Sequence, residues 1–134
     1  MKVKYLLDTN ICIYIAKQKP VTVLRKFEKL GVGEIAMSTI TYGELLYGAN
    51  KSHFPDQTHQ KLADLTMFIP VLPLNSDVAE HYGDIRANLE KIGKPIGNND
   101  LWIASHARAL QVILATNNTK EFTRVPNLRI ENWV

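Results

Sequence analysis

Residues 3–10 read VKYLLDTN, an apolar run typical of a strand that is followed at once by an acidic residue and a helical pattern. The same order of strand and helix recurs along the chain. Further strand-like segments are EIAMS from residue 34, PVLPL from 70, VILATN from 112 and LRIEN from 128, with helical patterns between them. Strands that are separated by helices need crossover connections, which predicts a parallel sheet in an α/β layered domain.

Three acidic residues occupy equivalent places in this pattern. Asp8 ends the first strand, Glu44 lies in STITYGELLYGA (38–49), and Asp100 lies in PIGNNDLWIASHA (95–107). In a parallel sheet the helices begin at the carboxyl edge of the strands, and the functional crevice lies beyond this edge. We therefore expect the three carboxylates to converge there.

Each of these acids also has a purely structural explanation. Asp8 and Asp100 could be helix N-caps, although Thr9 is also a plausible N-cap of the first helix. Thr41 and Glu44 fit the spacing of a capping box. Capping explains one such residue well and three poorly, because Asp8 follows the apolar YLL and a charge at the end of a buried strand needs a partner or a metal.

Converging carboxylates have a direct chemical use. Mg²⁺ and Mn²⁺ are hard cations that prefer oxygen ligands and keep several waters. A metal held in this way can activate water against a phosphodiester. The segment VILATNNTKEF (112–122) adds two candidate ligands: Asn118 could give a neutral oxygen, and Glu121 could give a fourth charge or simply face solvent beside Lys120.

Size and composition predict a single domain over residues 1–134. The chain is 46% apolar and 22% charged, and it shows no internal repeat or linker. No apolar run approaches the length of a bilayer span, and the first strand is too short for a signal-peptide core, so we expect no membrane association. The lone Cys12 excludes an internal disulfide, fits a reducing compartment and is expected to be a buried hydrophobe. The expected location is the cytoplasm.

The charge distribution suits a polyanionic substrate. The formal net charge is only +3, but setting Asp8, Glu44, Asp100 and Glu121 aside leaves nine acids against 16 lysines and arginines. A negative pocket inside a basic surround would hold a nucleic acid by its phosphates. A scattered basic surface without such a role explains the same count equally well.

Other catalytic patterns are missing from the sequence. The four histidines show no zinc-binding spacing, and no glycine-rich phosphate loop is followed by GK[ST]. The DTN that begins at Asp8 lacks the second acid, two residues on, that a phosphatase of the aspartyl-nucleophile type would use.

Four motifs, taken in order, resemble those of the PIN-domain ribonucleases, and the closest likeness is to the VapC toxins of VapBC toxin–antitoxin modules. They are LLDTN (6–10), S-x-I-T-x-x-E-L-x-x-G-A (38–49), PIGNNDLWIA-x-H-A (95–107) and LATNNTKEF (114–122). The resemblance covers nearly the whole chain. It implies a five-stranded parallel sheet in three α/β/α layers and a metal-dependent endoribonuclease activity.

The resemblance also assigns roles to individual positions. The acidic triad consists of Asp8, Glu44 and Asp100. Thr9 and Ser38 match positions that support the site through hydroxyl hydrogen bonds. Asn118 stands where many PIN domains have a fourth acid, which leaves a second metal site open unless Glu121 or a substrate phosphate completes it.

The implied partners are an RNA and a second protein. The expected substrate is tRNA, with cleavage of initiator tRNA in its anticodon loop favoured, and the expected restraint is a VapB-type antitoxin. Operator DNA would be bound only through the antitoxin, and the chain itself is expected to form a two-fold dimer. Apolar side chains that could form a groove for the antitoxin are Ile13, Tyr14, Leu24 and Tyr47.

Two other classes of protein remain compatible with the sequence. The first is a structure-specific DNA nuclease of related fold. The second is a nucleic-acid-binding or partner-binding module with a vestigial site, against which the retention of all three acids argues.

Overall fold

The computed structural model describes residues 2–134. Five strands form one sheet in the order β3-β2-β1-β4-β5, and every neighbouring pair is parallel. The strands are β1 (Tyr5–Leu7), β2 (Ile35–Ser38), β3 (Val71–Leu72), β4 (Ile113–Ala115) and β5 (Ile130–Glu131). The predicted strands and their parallel arrangement are confirmed.

Helices connect these strands and cover the sheet. They are α1 (Thr9–Lys17), α2 (Val21–Glu28), α3 (Thr39–Asn50), α4 (Pro55–Phe68), α5 (Ser76–Lys91), α6 (Asn98–Leu110) and α7 (Thr119–Phe122). The N-cap of α1 is Asp8 rather than Thr9, because the Asp8 carboxylate accepts the first free backbone N–H of the helix. Within residues 2–134, no helix is both long enough and apolar enough to cross a membrane.

Successive strand residues face opposite sides of the sheet, which produces two separate cores. Leu6 lies in one core with apolar side chains of α5 and α6, including Ile85 and Ala104. Leu7 lies in the other with side chains of α1 and α4, including Ile11 and Leu62. The predicted α/β/α layering is therefore confirmed, and Cys12 is fully buried in the second core as expected.

Candidate functional site at the carboxyl edge of the sheet

Asp8 directly follows the central strand β1 and is almost fully buried. Its backbone N–H donates to the carbonyl of Ala115 at 2.9 Å, so the residue stands where β1 and β4 end together. Its carboxylate accepts hydrogen bonds from the backbone of Thr9 and from the hydroxyl of Thr116, both at 2.6 Å. Burial nevertheless raises the pKa of Asp8, because these two bonds only partly offset the loss of water. Asp8 is thus both the cap of α1 and a constrained, buried carboxyl group.

Glu44 approaches the same edge from α3. The hydroxyl of Thr9 donates to Oε1 of Glu44 at 2.6 Å, which links α3 to the start of α1. The capping-box explanation of Glu44 is wrong, because α3 begins at Thr39 and its N-cap is Ser38, whose hydroxyl accepts from the backbone of Ile40 at 3.2 Å. Glu44 therefore projects from the second turn of its helix and serves no cap.

Asp100 and Glu121 complete a cluster of four carboxyl groups. Burial, and after it the negative charges of Asp8, Glu121 and Glu44, raise the pKa of Asp100 to about 7. Asp100 and Glu121 also lie within hydrogen-bonding reach of each other. Asp100 is not an N-cap, because that position of α6 is Gly97. The structure thus brings the three acids of the expected triad together and adds Glu121 to them.

The carboxylate cluster has no basic counterpart among the described residues. The ion pairs of residues 2–134 involve other acids, namely Glu34, Glu131, Glu90 and Asp84. Like charges gathered in a partly desolvated place repel one another, and proteins normally balance them with a cation or by protonation. The raised pKa of Asp100 favours protonation, and a bound cation would balance the charges instead.

Comparison with known proteins places the chain in a family. It is 45% identical over 131 residues to the ribonuclease VapC2 of Haemophilus influenzae, covering 98% of each protein. It is 44% identical over 130 residues to the tRNA(fMet)-specific endonuclease VapC of Shigella flexneri, covering 97% of this chain and 98% of that one. The solved structure of VapBC2 from Rickettsia felis, bound to a DNA fragment from their promoter, has a TM-score of 0.92 at 41% identity, covering 98% of this chain and 100% of that one.

The family assignment follows from these relatives and from residues 5–128, which match the PIN domain family. The chain belongs to the PIN domain family, in its VapC branch. The resemblance drawn from the four motifs is therefore confirmed, and so is the fold that it implied.

Asn118 of this VapC-family PIN domain faces the cluster as a hydrogen-bond donor. Its side-chain nitrogen lies 3.3 Å from Oε2 of Glu121, and its backbone N–H donates to the hydroxyl of Thr116 at 2.9 Å. Asn118 therefore orients Glu121 by a hydrogen bond, whereas an acid at position 118 would add a further negative charge. Ser38, the other hydroxyl expected to support the site, caps α3 and so fixes the direction in which Glu44 projects.

Thr116 is a residue of the site that the sequence placed at the carboxyl end of the fourth strand without predicting a role for it. It is fully buried, and its hydroxyl both donates to Asp8 and accepts from Asn118. The signal in the sequence was only its position directly after the fourth strand, whereas its contact with Asp8 depends on the register of the sheet, in which Leu7 and Ala115 are partners. A hydroxyl one residue beyond Ala115 must lie beside the acid one residue beyond Leu7.

The donor set fits a partly hydrated divalent cation. Among residues 2–134, no three Asp, Glu, His or Cys side chains already surround one point as metal ligands. The Asp8 and Glu44 oxygens are occupied instead by hydrogen bonds from Thr9 and Thr116. Mg²⁺ does not require a complete protein cage, since it is usually bound through one or two carboxylates and keeps several waters. Such an ion would also relieve the repulsion within the cluster.

A largely apolar cavity of about 300 Å³ adjoins Glu44 between α1, α3 and α4. Ile13, one of the residues predicted to line a partner groove, is among its lining residues. Tyr14 packs against the core and bonds Asn117, Leu24 lies on α2, and Tyr47 is 65% exposed to solvent. These three residues do not line the cavity, whose facing wall is α4, and their contact with a partner stays a prediction.

Proposed function

We propose that this protein is a metal-dependent endoribonuclease, the toxin of a VapBC-type module, and that it cleaves tRNA, with initiator tRNA as the favoured substrate. The observation that carries the proposal is the cluster of Asp8, Glu44, Asp100 and Glu121 without a basic partner among the described residues. The Haemophilus relative is a ribonuclease VapC2 and the Shigella relative a tRNA(fMet)-specific endonuclease VapC, and these names support the reaction and the substrate.

Each acid has a distinct place in the proposed chemistry. Asp8 and Asp100 would hold Mg²⁺ or Mn²⁺, which would supply positive charge at the scissile phosphate and activate water for its attack. Glu44 completes the set from α3, and its hydrogen bond from Thr9 fixes its orientation. The hydroxyl of Thr116 and the backbone N–H of Thr9 donate to the two oxygens of Asp8, which favours its ionised form against the effect of burial. Glu121, steadied by Asn118, contributes a fourth charge.

The reaction is tested with the Asp8→Asn variant. A neutral amide binds Mg²⁺ poorly, so we expect RNA cleavage to fall by several orders of magnitude while the fold persists. A matched control is Asp56→Asn, since Asp56 is an exposed acid on α4 outside the cluster. RNA and DNA substrates are assayed side by side, with Mg²⁺ and with EDTA. Full activity of folded Asp8→Asn, or in EDTA, refutes the metal site, and preference for DNA favours the DNA-nuclease alternative.

The substrate is tested in cells. Brief expression followed by mapping of RNA 5′ ends should reveal one dominant cut in the anticodon loop of initiator tRNA. Unstacked loop bases can be read by a protein, whereas the major groove of A-form RNA is closed to side chains. Intact tRNA beside efficient cleavage of another RNA would overturn the substrate and leave the enzyme class standing.

The expected partner is a VapB-type antitoxin whose amphipathic segment lies in the cavity between α1, α3 and α4. The neighbouring solved structure is a VapBC complex bound to promoter DNA, which supports such a partner and contact with operator DNA through it. Because Glu44 lines this cavity, a bound segment would reach the carboxylate cluster, where an inserted Arg or Lys could pair with the acids. We also propose a two-fold homodimer, which light scattering of the purified chain would detect.

A further inference from the structure

A second cavity, of about 560 Å³, lies between α7 and the loop that joins α5 to α6. Lys94 and Pro95 line it from the loop, and Lys120 and Arg124 line it from α7 and the residues just after it. Three of the lining side chains are therefore cationic, and no acidic side chain lines the cavity. We call this cavity, defined by Lys94, Lys120 and Arg124, the basic cleft.

The charges of the basic cleft are not neutralised within the described chain. Lysines and arginines elsewhere pair with carboxylates, as Lys4 does with Glu34 and Arg108 with Asp84. No such pair forms at the three cations of the cleft in residues 2–134. Unpaired cations that face one cavity create a positive potential available to an anionic ligand.

The cleft is built on fixed backbone. Gly93 has a φ of +71°, and the N–H of Lys94 donates to the carbonyl of Leu89 at 2.9 Å, which ends α5 in a Schellman motif. On the other wall, Nη1 of Arg124 donates to the carbonyl of Pro95 at 3.0 Å and so joins the two walls. The cations are thus presented by defined turns rather than by a loose loop.

Both walls of the basic cleft lead to the carboxylate cluster. On α7, Lys120 immediately precedes Glu121, which lies within hydrogen-bonding reach of Asp100. On the loop, Gly97 follows Pro95 by two residues and lies against Asp100, since a Cβ atom built on Gly97 would be 3.9 Å from Oδ2 of Asp100. The two segments that line the cleft therefore run directly into Asp100 and Glu121, which places the cleft beside the cluster.

We propose that the basic cleft binds the RNA backbone next to the scissile phosphate, which is a site that rests on the proposed ribonuclease function. The cluster of acids repels a polyanion, so productive binding needs positive charge beside it, and the cleft supplies three cations there. Phosphate contacts position a nucleic acid without reading its sequence. The alternative occupant, an acidic segment of a protein partner, is distinguished by the experiment below.

The test uses the paired substitution Lys94→Gln and Lys120→Gln, with Lys2→Gln and Lys29→Gln as the matched control. All four lysines are exposed, and the control pair lies near the amino ends of β1 and β2, away from the cluster. Binding of a labelled single-stranded RNA is measured against salt with Asp8→Asn present in every protein, to prevent cleavage. Each lost phosphate contact should reduce the slope of log affinity against log salt concentration by about 0.7. If the proteins bind equally at about 1 M salt, the cleft pair should therefore bind RNA roughly 25-fold more weakly than the unsubstituted cleft at about 0.1 M salt.

Cleavage by proteins that retain Asp8 separates this inference from the function on which it rests. We expect the cleft pair to raise KM and leave kcat nearly unchanged, while the control pair changes neither. If the unsubstituted protein cleaves no RNA, the proposed function fails and the inference falls with it. If it cleaves RNA and the two pairs behave alike, the inference alone is overturned. Weaker binding of an acidic antitoxin peptide, with unaltered RNA binding, would assign the cleft to the protein partner instead.

Discussion

The hydroxyl of Thr116 donates a 2.6 Å hydrogen bond to Oδ2 of Asp8 across the ends of the two central strands. The same hydroxyl accepts the backbone N–H of Asn118, so one buried side chain connects Asp8 to the turn that carries Glu121. The bond favours the ionised form of the buried carboxylate, because hydrogen bonds to a charged group lower the pKa, and so it partly offsets the rise that burial causes. Thr116 is therefore a positioning residue for the whole cluster.

Replacing Thr116 with valine should impair both stability and activity. Valine keeps the shape of threonine but leaves an oxygen of buried Asp8 without its donor, at a cost of about 1.5–3 kcal/mol in the free energy of unfolding. A further rise in the pKa of Asp8 would also weaken Mg²⁺ binding, because the metal needs the ionised carboxylate. Urea unfolding and metal titration measure the two effects, with Thr116→Ser as the control that retains the hydroxyl. Equal stability and metal affinity of Thr116→Val and the unsubstituted protein would contradict the positioning role.

The metal-free protein should lose stability as the pH rises through the range in which Asp100 ionises. The folded-state pKa of Asp100 is raised from 3.8 to about 7, so between these values the native state binds a proton that the unfolded chain has released. The free energy of unfolding therefore falls with rising pH across this window. Asp100→Asn removes the effect and, after allowance for the solvent screening of a half-exposed group, should stabilise the protein by about 1–2 kcal/mol at pH 8.

Unfolding in EDTA at several pH values between 5 and 8 measures this difference. The variant should be more stable than the unsubstituted protein at pH 8, and this difference should shrink to roughly a third of its value at pH 5, because that pH lies about a third of the way from 3.8 to about 7. Added Mg²⁺ should reverse the order at pH 8, since an ion that binds only the native state stabilises it. Parallel pH profiles of the two proteins in EDTA would show that Asp100 does not titrate in this range.

The sequence predicted the sheet and the triad because both follow from local patterns. Asp8 could be placed at the carboxyl edge since an apolar run of strand length precedes it and a helix follows. The contact of Thr116 with Asp8 could not be predicted in the same way, because it depends on the register between β1 and β4, which are more than 100 residues apart. The motif that contains Glu44 holds two residues that could cap a helix, Ser38 and Thr41. The spacing from Thr41 to Glu44 suggested a capping box, but α3 begins at Thr39 and Ser38 is its N-cap.

The expected antitoxin groove shows a similar limit. Tyr14 has the spacing of an exposed apolar face, but its hydroxyl accepts a hydrogen bond from Asn117 at 3.2 Å, and its ring packs against the core. Whether an apolar side chain lines a groove or fills a core depends on which helix packs opposite, and one helix cannot specify this.

Asn118→Asp should make the metal-free protein less stable and increase its affinity for a divalent metal. The amide nitrogen of Asn118 now donates to Glu121, and a carboxylate there would replace this bond with repulsion. We expect the free energy of unfolding in EDTA to fall by about 1 kcal/mol. Mn²⁺ affinity should rise because the cluster gains a charge. Asn118→Ala is the control, since it removes the donor and adds no charge. If Asp and Ala variants bind Mn²⁺ equally, position 118 does not contribute to the metal site.

Gly48→Leu should separate inhibition by the antitoxin from catalysis. Gly48 lines the cavity between α1, α3 and α4, and a Cβ atom added there meets no other atom within 4 Å. A leucine would fill the space proposed for the antitoxin, while replacement of a mid-helix glycine should stabilise α3 by about 0.5–1 kcal/mol. The control is Gly83→Leu, at an equally open position on α5. We expect unchanged RNA cleavage by both variants and loss of inhibition by a VapB-type antitoxin in Gly48→Leu alone, measured by adding antitoxin to the cleavage assay. Inhibition of Gly48→Leu at the same antitoxin concentration as Gly83→Leu would place the inhibitory contact outside this cavity.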